Sequence, residues 1–172
     1  MVKILIVSDS HGQTAILHKL KSEYGSAMDA MIHCGDSELG SNDEAIAGFT
    51  YVKGNCDYDS AFPKEVTKDI AGYRFFVTHG HLYNIKMTLQ PLGYKAEEEQ
   101  AQFACFGHSH VAGSMQEEDG LIFINPGSIS LPRGRKEKTF VILELEGKQA
   151  KVNFYDDHGN FLKNLSATYI LK

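Results

Sequence analysis

The stretch Phe106-Gly107-His108-Ser109-His110 puts two imidazoles two residues apart, behind an apolar run and a glycine. Rings in that position must be satisfied by solvent, by a hydrogen bond or by a metal. Four other apolar runs end in the same manner. Val7-Ser8-Asp9-Ser10-His11 delivers Asp9 and His11, His33-Cys34-Gly35-Asp36 delivers Asp36, Gly54-Asn55-Cys56-Asp57 delivers Asn55 and Asp57, and Thr78-His79-Gly80-His81 delivers His79 and His81. On an extended backbone, residues two apart point the same way, so Asp9 with His11, and His108 with His110, can each reach one point. Mixed carboxylate, imidazole and amide donors suit borderline first-row cations such as Mn, Fe, Ni or Zn better than calcium, which prefers all-oxygen cages. So many donors exceed what one four-coordinate ion uses. A pair of ions about 3.5–4 Å apart, with Asp36 as shared bridge, accounts for them.

Each residue taken singly has a plainer explanation. Asp9 could cap a helix beginning near residue 13, and His18, His33 and His158 are read as structural rings. A single zinc on His108 and His110 would leave Asp9 and Asn55 without a purpose. It is the recurrence at five strand ends that points to one site.

The elements that must position these donors are legible as runs bounded by turn residues. Strands are expected over 3–9, 29–36, 50–55, 74–80, 103–108 and 121–127, their lengths and β-branched or aromatic content fitting burial on both faces. A helix is expected over 13–24, with Ile16, Leu17 and Leu20 on one face, a weaker one near 43–48, and another over 85–100 interrupted by Pro91 and Gly93. Residues 139–147, 149–159 and 160–171 alternate apolar and polar side chains between turns, the pattern of antiparallel strands. Two packed sheets with outer helices accommodate this order. In mostly parallel sheets the strand C-termini share an edge, where ligands bind.

The chain's 172 residues fit one domain spanning 1–172. Its formal charge of −5 disfavours an extended nucleic-acid surface, which needs clustered cations. The one basic cluster, Arg133 to Lys138, reads as a solvated turn. No window is long and apolar enough for a membrane span, and the N-terminal run reads as a strand, not a signal peptide, so a cytoplasmic address is the expectation. Cys34 and Cys105 lie within apolar runs as small core residues, and the three cysteines form no CxxC pair. Exposed strands in the last third leave a homo-oligomer open.

Asp9-x-His11, Gly35-Asp36, Gly54-Asn55, His79-Gly80 and Gly107-His108-x-His110, in that order, resemble the calcineurin-like metallophosphoesterase superfamily. The resemblance is closest to its small bacterial and archaeal phosphodiesterase branch. It implies an α/β fold, a four-layer α/β/β/α sandwich of two mixed sheets with flanking helices. It also implies two divalent transition-metal ions, Mn foremost with Ni, Fe or Zn as alternatives. One would be held by Asp9, His11, Asp36 and His110, the other by Asp36, Asn55, His79 and His108. The implied activity is hydrolysis of a small phosphodiester by a metal-bridging hydroxide, with Asn55 stabilising the phosphoryl oxygens and His81 as a candidate proton donor oriented by Asp57. Many members carry histidine where this chain has Cys56, and a thiol is a weak donor; hence a diester rather than a monoester. The alternative is a metal-binding interaction scaffold of the same fold, as in a subunit of the retromer coat.

Overall fold

The computed structural model describes residues 1–172. Eleven strands form two mixed sheets. In chain order the strands are β1 (Val2–Val7), β2 (Ala30–His33), β3 (Phe49–Tyr51), β4 (Glu65–Ile70), β5 (Tyr73–Thr78), β6 (Phe103–Cys105), β7 (Gly113–Gln116), β8 (Ile122–Asn125), β9 (Thr139–Glu146), β10 (Gln149–Asp156) and β11 (Ala167–Ile170). The first sheet runs β11-β10-β9-β1-β2-β3 and the second β4-β5-β6-β8-β7. Within them β1, β2 and β3 are parallel, as are β5, β6 and β8.

Period-two burial explains the layering. Ile4 and Ile6 of β1 face the second sheet, meeting Phe75, Phe103 and Ile124 in the shared core, while Leu5 and Val7 face outward onto Leu17 and Leu20. Those two leucines belong to helix α1 (Thr14–Tyr24). In the second sheet Phe103 and Cys105 point inward, whereas Ala104 and Phe106 face Leu92 and Ala96 of helix α2 (Gln90–Glu98). The result is the expected α/β/β/α order. Cys34 and Cys105 both lie in the shared core as free thiols. No helix is long and apolar enough to cross a membrane.

Several elements differ from expectation. Residues 43–48 form successive turns instead of a helix: Asp43 caps Ala45 N–H at 2.8 Å, and Gly48 at φ +87° ends the run. Pro91 opens α2 instead of breaking it, because the first turn has no hydrogen bond for its missing N–H to make. Gly93 sits inside the helix, where a Cβ would come within 3.3 Å of the Phe123 ring. Of 160–171 only β11 is strand; before it, Phe161 makes an isolated bridge to Tyr155. Strands β4 and β7 are additional, and both are sheet edges.

Candidate metal centre

The loops leaving β1 and β2 continue side by side past the strands, with Asp9 N–H donating to Gly35 O at 3.0 Å and His11 N–H to Asp36 O at 3.0 Å. The loop after β6 likewise follows the loop after β5, Gly107 N–H donating to His79 O at 3.0 Å. Asp9, His11, Asp36, His108 and His110 all adopt positive φ, between 43° and 66°, as does Glu38. Non-glycine residues held there cost on the order of 1 kcal/mol or more each, and such strain gathers at functional sites. Close approach is secured by two glycines: a Cβ on Gly54 would lie 2.0 Å from Asp36 Oδ1, and one on Gly107 would lie 2.0 Å from Ser8 Oγ.

Three imidazoles are pinned by Nδ1 and turn Nε2 inward. His79 Nδ1–H donates to Cys34 O at 2.7 Å and His110 Nδ1–H to Leu131 O at 2.6 Å, while His11 Nδ1 lies 3.3 Å from Glu38 Oε2. On the inner side, His79 Nε2 is 3.1 Å from Asp36 Oδ2 and 3.2 Å from Asn55 Oδ1. His110 Nε2 is 3.1 Å from Asp9 Oδ1 and 3.3 Å from His11 Nε2. A ring that donates through Nδ1 offers only a lone pair at Nε2 when neutral. Lone pairs of three rings, two carboxylates and an amide therefore face one another, and a proton or a cation is needed between them. Asp9 Oδ1 is buried without a hydrogen-bond partner at this point.

The electrostatics agree. Burial opposes charge on His79, but the hydrogen bond to Asp36 and the Asp9 and Asp36 carboxylates outweigh it, and its pKa is raised. The Asp9 carboxylate, 3.1 Å from its Nε2, raises that of His110 against burial. For Asp36 burial works upward, yet His79 and the Cys56 N–H, which donates to Asp36 Oδ1 at 2.8 Å, hold the carboxyl well below the usual range.

Three groups of donors could each hold an ion: Asp9, His11 and His110; Asp9, Asp36 and His79; His11, Asp36 and Cys56, with donor atoms in each within 4.8 Å of one another. Asn55 joins through its Oδ1 contact with His79. His108 belongs to none of the three; its ring centroid lies 5.2 Å from that of His79, and its N–H donates to Asp9 Oδ2 at 3.2 Å. Burial and the charge of His79 push its pKa down to about 4. His81 stands 5.4 Å from His79, with Nδ1 buried and unpartnered. Cys56 is exposed, and partial desolvation of its thiol together with the nearby Asp36 charge raises its pKa to about 11. Asp9 caps no helix: α1 begins after Gln13 without a side-chain cap. His33 is buried and structural, its Nδ1 accepting Gly35 N–H at 3.2 Å and its Nε2–H donating to Ser10 Oγ at 2.9 Å.

Supporting residues went unrecognised in the sequence. Asp57, expected to orient His81, accepts the backbone N–H groups of Asp36, Glu38 and Gly54 at 2.7–2.8 Å, binding the second loop to the third. Asn125 donates to Gly107 O and Ser109 Oγ, and Ser128 Oγ–H donates to Asp9 O at 2.8 Å while accepting Ser130 and Leu131 N–H. The signal was the turn cluster Asn125-Pro126-Gly127-Ser128 closing an apolar run.

The calcineurin-like phosphoesterase superfamily domain matches residues 2–148. The chain belongs to that superfamily. This calcineurin-like chain is 45% identical over 164 residues to the probable metallophosphoesterase YsnB of Bacillus subtilis, spanning 95% of this chain and 96% of that one. A crystal structure of a Streptococcus pneumoniae protein predicted to be a phosphoesterase matches with TM-score 0.94 at 34% identity, covering 98% of this chain and 97% of the other. The zinc complex of Vps29 from Entamoeba histolytica matches with TM-score 0.76 at 16% identity over 99% and 100% of the two chains, a likeness of fold alone. Calcineurin-like phosphoesterases are metal-dependent hydrolases, and the inward-facing lone pairs fit that dependence.

Proposed function

We propose that the chain is a metal-dependent phosphodiesterase. The observation that carries this reading is the set of inward Nε2 lone pairs around the unpartnered Asp9 Oδ1. Asp9, His11, Asp36 and His110 hold one divalent cation, and Asp36, Asn55, His79 and His108 hold the other. Manganese is foremost, and nickel, iron and zinc suit the same donors. When bound, such ions supply Lewis acidity and lower the pKa of water to about 7.

The chain's own side chains do the rest. The Nδ1–H bonds to Cys34 and Leu131 fix the rings of His79 and His110, so that neither must reorient during turnover. Asn55 turns its Oδ1 inward and directs one Nδ2–H at Cys56 Sγ, so its second Nδ2–H is the one to donate to a phosphoryl oxygen of the substrate. Leaving-group protonation is the weak step. Burial and the charge of His79 lower the pKa of His81, so this ring is a hydrogen-bond donor more than an acid at neutral pH. The Cys56 thiol, pushed up to about 11, is a poorer acid still. A diester with a good leaving group is the substrate such a site turns over best.

The test is to strip the protein of metal and assay bis-p-nitrophenyl phosphate and p-nitrophenyl phosphate before and after adding Mn or Ni. Turnover restored by metal, with diester exceeding monoester, is expected. Two bound ions with no turnover of either ester would select the second reading, a metal-binding interaction scaffold. The fold shared with Vps29 is what favours that alternative.

A further inference from the structure

Away from the metal centre, an open trough of about 620 Å³ lies on the outer face of the second sheet, between α2 and the β7–β8 hairpin. Its position in the fold is set by pairing: Gly113 meets Asn125 at the end of the hairpin near the metal centre, and Gln116 meets Ile122 at the other. The trough reaches the Glu117–Leu121 turn at that second end. Leu89, Met115, Leu121 and Phe123 give it an apolar lining. Gln90, Gly93, Tyr94 and Glu97 present one helical face to it, following the i, i+3, i+4, i+7 spacing. Gly93 leaves room where a side chain would press on Phe123. Tyr94 and Met115 stand 59% and 44% exposed on its walls.

The charges along this trough are of one sign. Glu97, Glu117, Glu118 and Asp119 line it, and no lysine or arginine does. Lys95, the one cation of α2, is engaged with Glu98 and Glu99. Lys172 reaches the Glu118 carbonyl, not a carboxylate, and borders only the smaller adjoining hollow. That hollow, about 230 Å³, shares Glu97, Asp119 and Leu121 with the trough and extends it. Burying carboxylates against a neutral apolar partner would leave their desolvation uncompensated; a cationic partner compensates it. The trough runs beside a nine-residue helix, about 13 Å long at 1.5 Å per residue, and is open to solvent along that length. An enclosed cavity would suit a small molecule; this shape and charge suit a segment of chain.

We propose that this trough docks a basic, amphipathic peptide segment of a partner protein, its apolar side chains on Leu89, Met115 and Phe123 and its Lys or Arg residues on Glu97, Glu117, Glu118 and Asp119. The site is separate from the metal centre and does not rest on the catalytic reading. A second copy of this chain is a poorer occupant. Its basic run, Arg133 to Lys138, begins beside His110, where Arg133 N–H donates to His110 O at 3.0 Å. Insertion of that run into the trough of the next copy would be a head-to-tail contact, which propagates into filaments unless it closes into a ring.

The full chain is to be screened against a random displayed peptide library, and the enriched peptides synthesised with a fluorescent label and titrated. The expected winners interleave Lys or Arg with Leu, Met or aromatic residues. Their addition should shift the backbone amide signals of residues 88–97 and 115–123, and binding should weaken as salt rises. Glu117→Lys with Glu118→Lys, both at exposed positions, should weaken binding by about tenfold while leaving the fold and the ester assay unchanged. Met115→Ser should weaken it independently of salt. The proposal is overturned if winners are acidic or uncharged, if shifts fall on the loops of the metal centre, if charge reversal leaves affinity unchanged, or if no peptide is enriched. It is equally overturned if the protein alone self-associates with concentration and the charge reversal abolishes that, which would give the trough to a second copy.

Discussion

The loops after β1, β2 and β3 bring Asp9, His11, Asp36 and Asn55 to the candidate centre, mostly oxygen donors, whereas the loops after β5 and β6 bring only imidazoles: His79, His81, His108 and His110. Among the donor side chains, the shortest approaches run between the two sets, Asp36 to His79 and Asp9 to His110, each at 3.1 Å. Within the first set His11 stays 3.8 Å from Asp9. Neither sheet holds a complete donor set, so the site exists only at the spacing imposed by the apolar layer between them. His79 and Asp36 shift each other's proton affinity toward the charged pair.

The largest effect that sharpens this division is expected from Asp36→Asn. It removes the carboxylate assigned to both ions, and turnover should fall by about 10³-fold or more with both ions lost. His110→Asn removes one imidazole of the opposite set and should leave about one ion per chain. Elemental analysis of the two purified variants reads the difference, and equal metal content would break the asymmetry.

Next in size is Asp57→Ala. Two buried backbone N–H groups and a partly buried third lose their acceptor, costing about 3 kcal/mol and lowering Tm by roughly 6–12 °C, measured by calorimetry. Only the oxygen-rich half is disordered by this change.

A comparable contribution is tied to pH. Burial pushes His33 down to about 4 from its ordinary 6.5, so the unfolded chain binds the proton more tightly. Stability from this ring is full above pH 6.5 and declines as pH falls toward 4, by roughly 3 kcal/mol in all. The raised pKa values of His79 and His110 act in the other direction, stabilising the metal-free protein below 6.5 and losing that contribution as pH rises through their folded values. In the upper part of the acid window, above the carboxylate range, the loss comes from the depressed rings. His33→Gln should flatten the fall of Tm between pH 6.5 and 4 more than His108→Gln does, because His108 is only partly buried. The smallest effect is expected from Cys56→His, which should raise monoester over diester turnover by about tenfold; an unchanged ratio would mean the thiol does not set the preference.

Most residues of the candidate centre were legible because they are sequence-local, each ending a run whose apolar pattern marks a strand. The two-sheet order followed from the same runs. What stayed hidden depends on tertiary pairing. β4, Glu-Val-Thr-Lys-Asp-Ile, is an edge strand with polar residues exposed, and β7, Gly-Ser-Met-Gln, is another; neither shows the apolar run by which the other strands were found. The turn at 43–48 buries Ala45 and Ile46 much as a helix would, so its apolar spacing misled. Asp57 and Ser128 act on backbone groups of remote loops, and side-chain type does not announce that. Tyr94 and Met115 are unremarkable in sequence; their one-signed surroundings emerge only when α2 packs beside β7 and β8.

The position of β1 has a consequence for how the protein is made. It pairs on one flank with β2, which follows within a few dozen residues, and on the other with β9, beyond residue 138. While the chain is still emerging from the ribosome, that second flank stays open until Thr139–Glu146 has been synthesised. Asp9, at the tip of β1, thus gains its final setting late, with Ser128 arriving just ahead of the closing strand. A nascent fragment that stops between His110 and β9 carries every donor of the candidate centre and still lacks the strand that holds β1 in place.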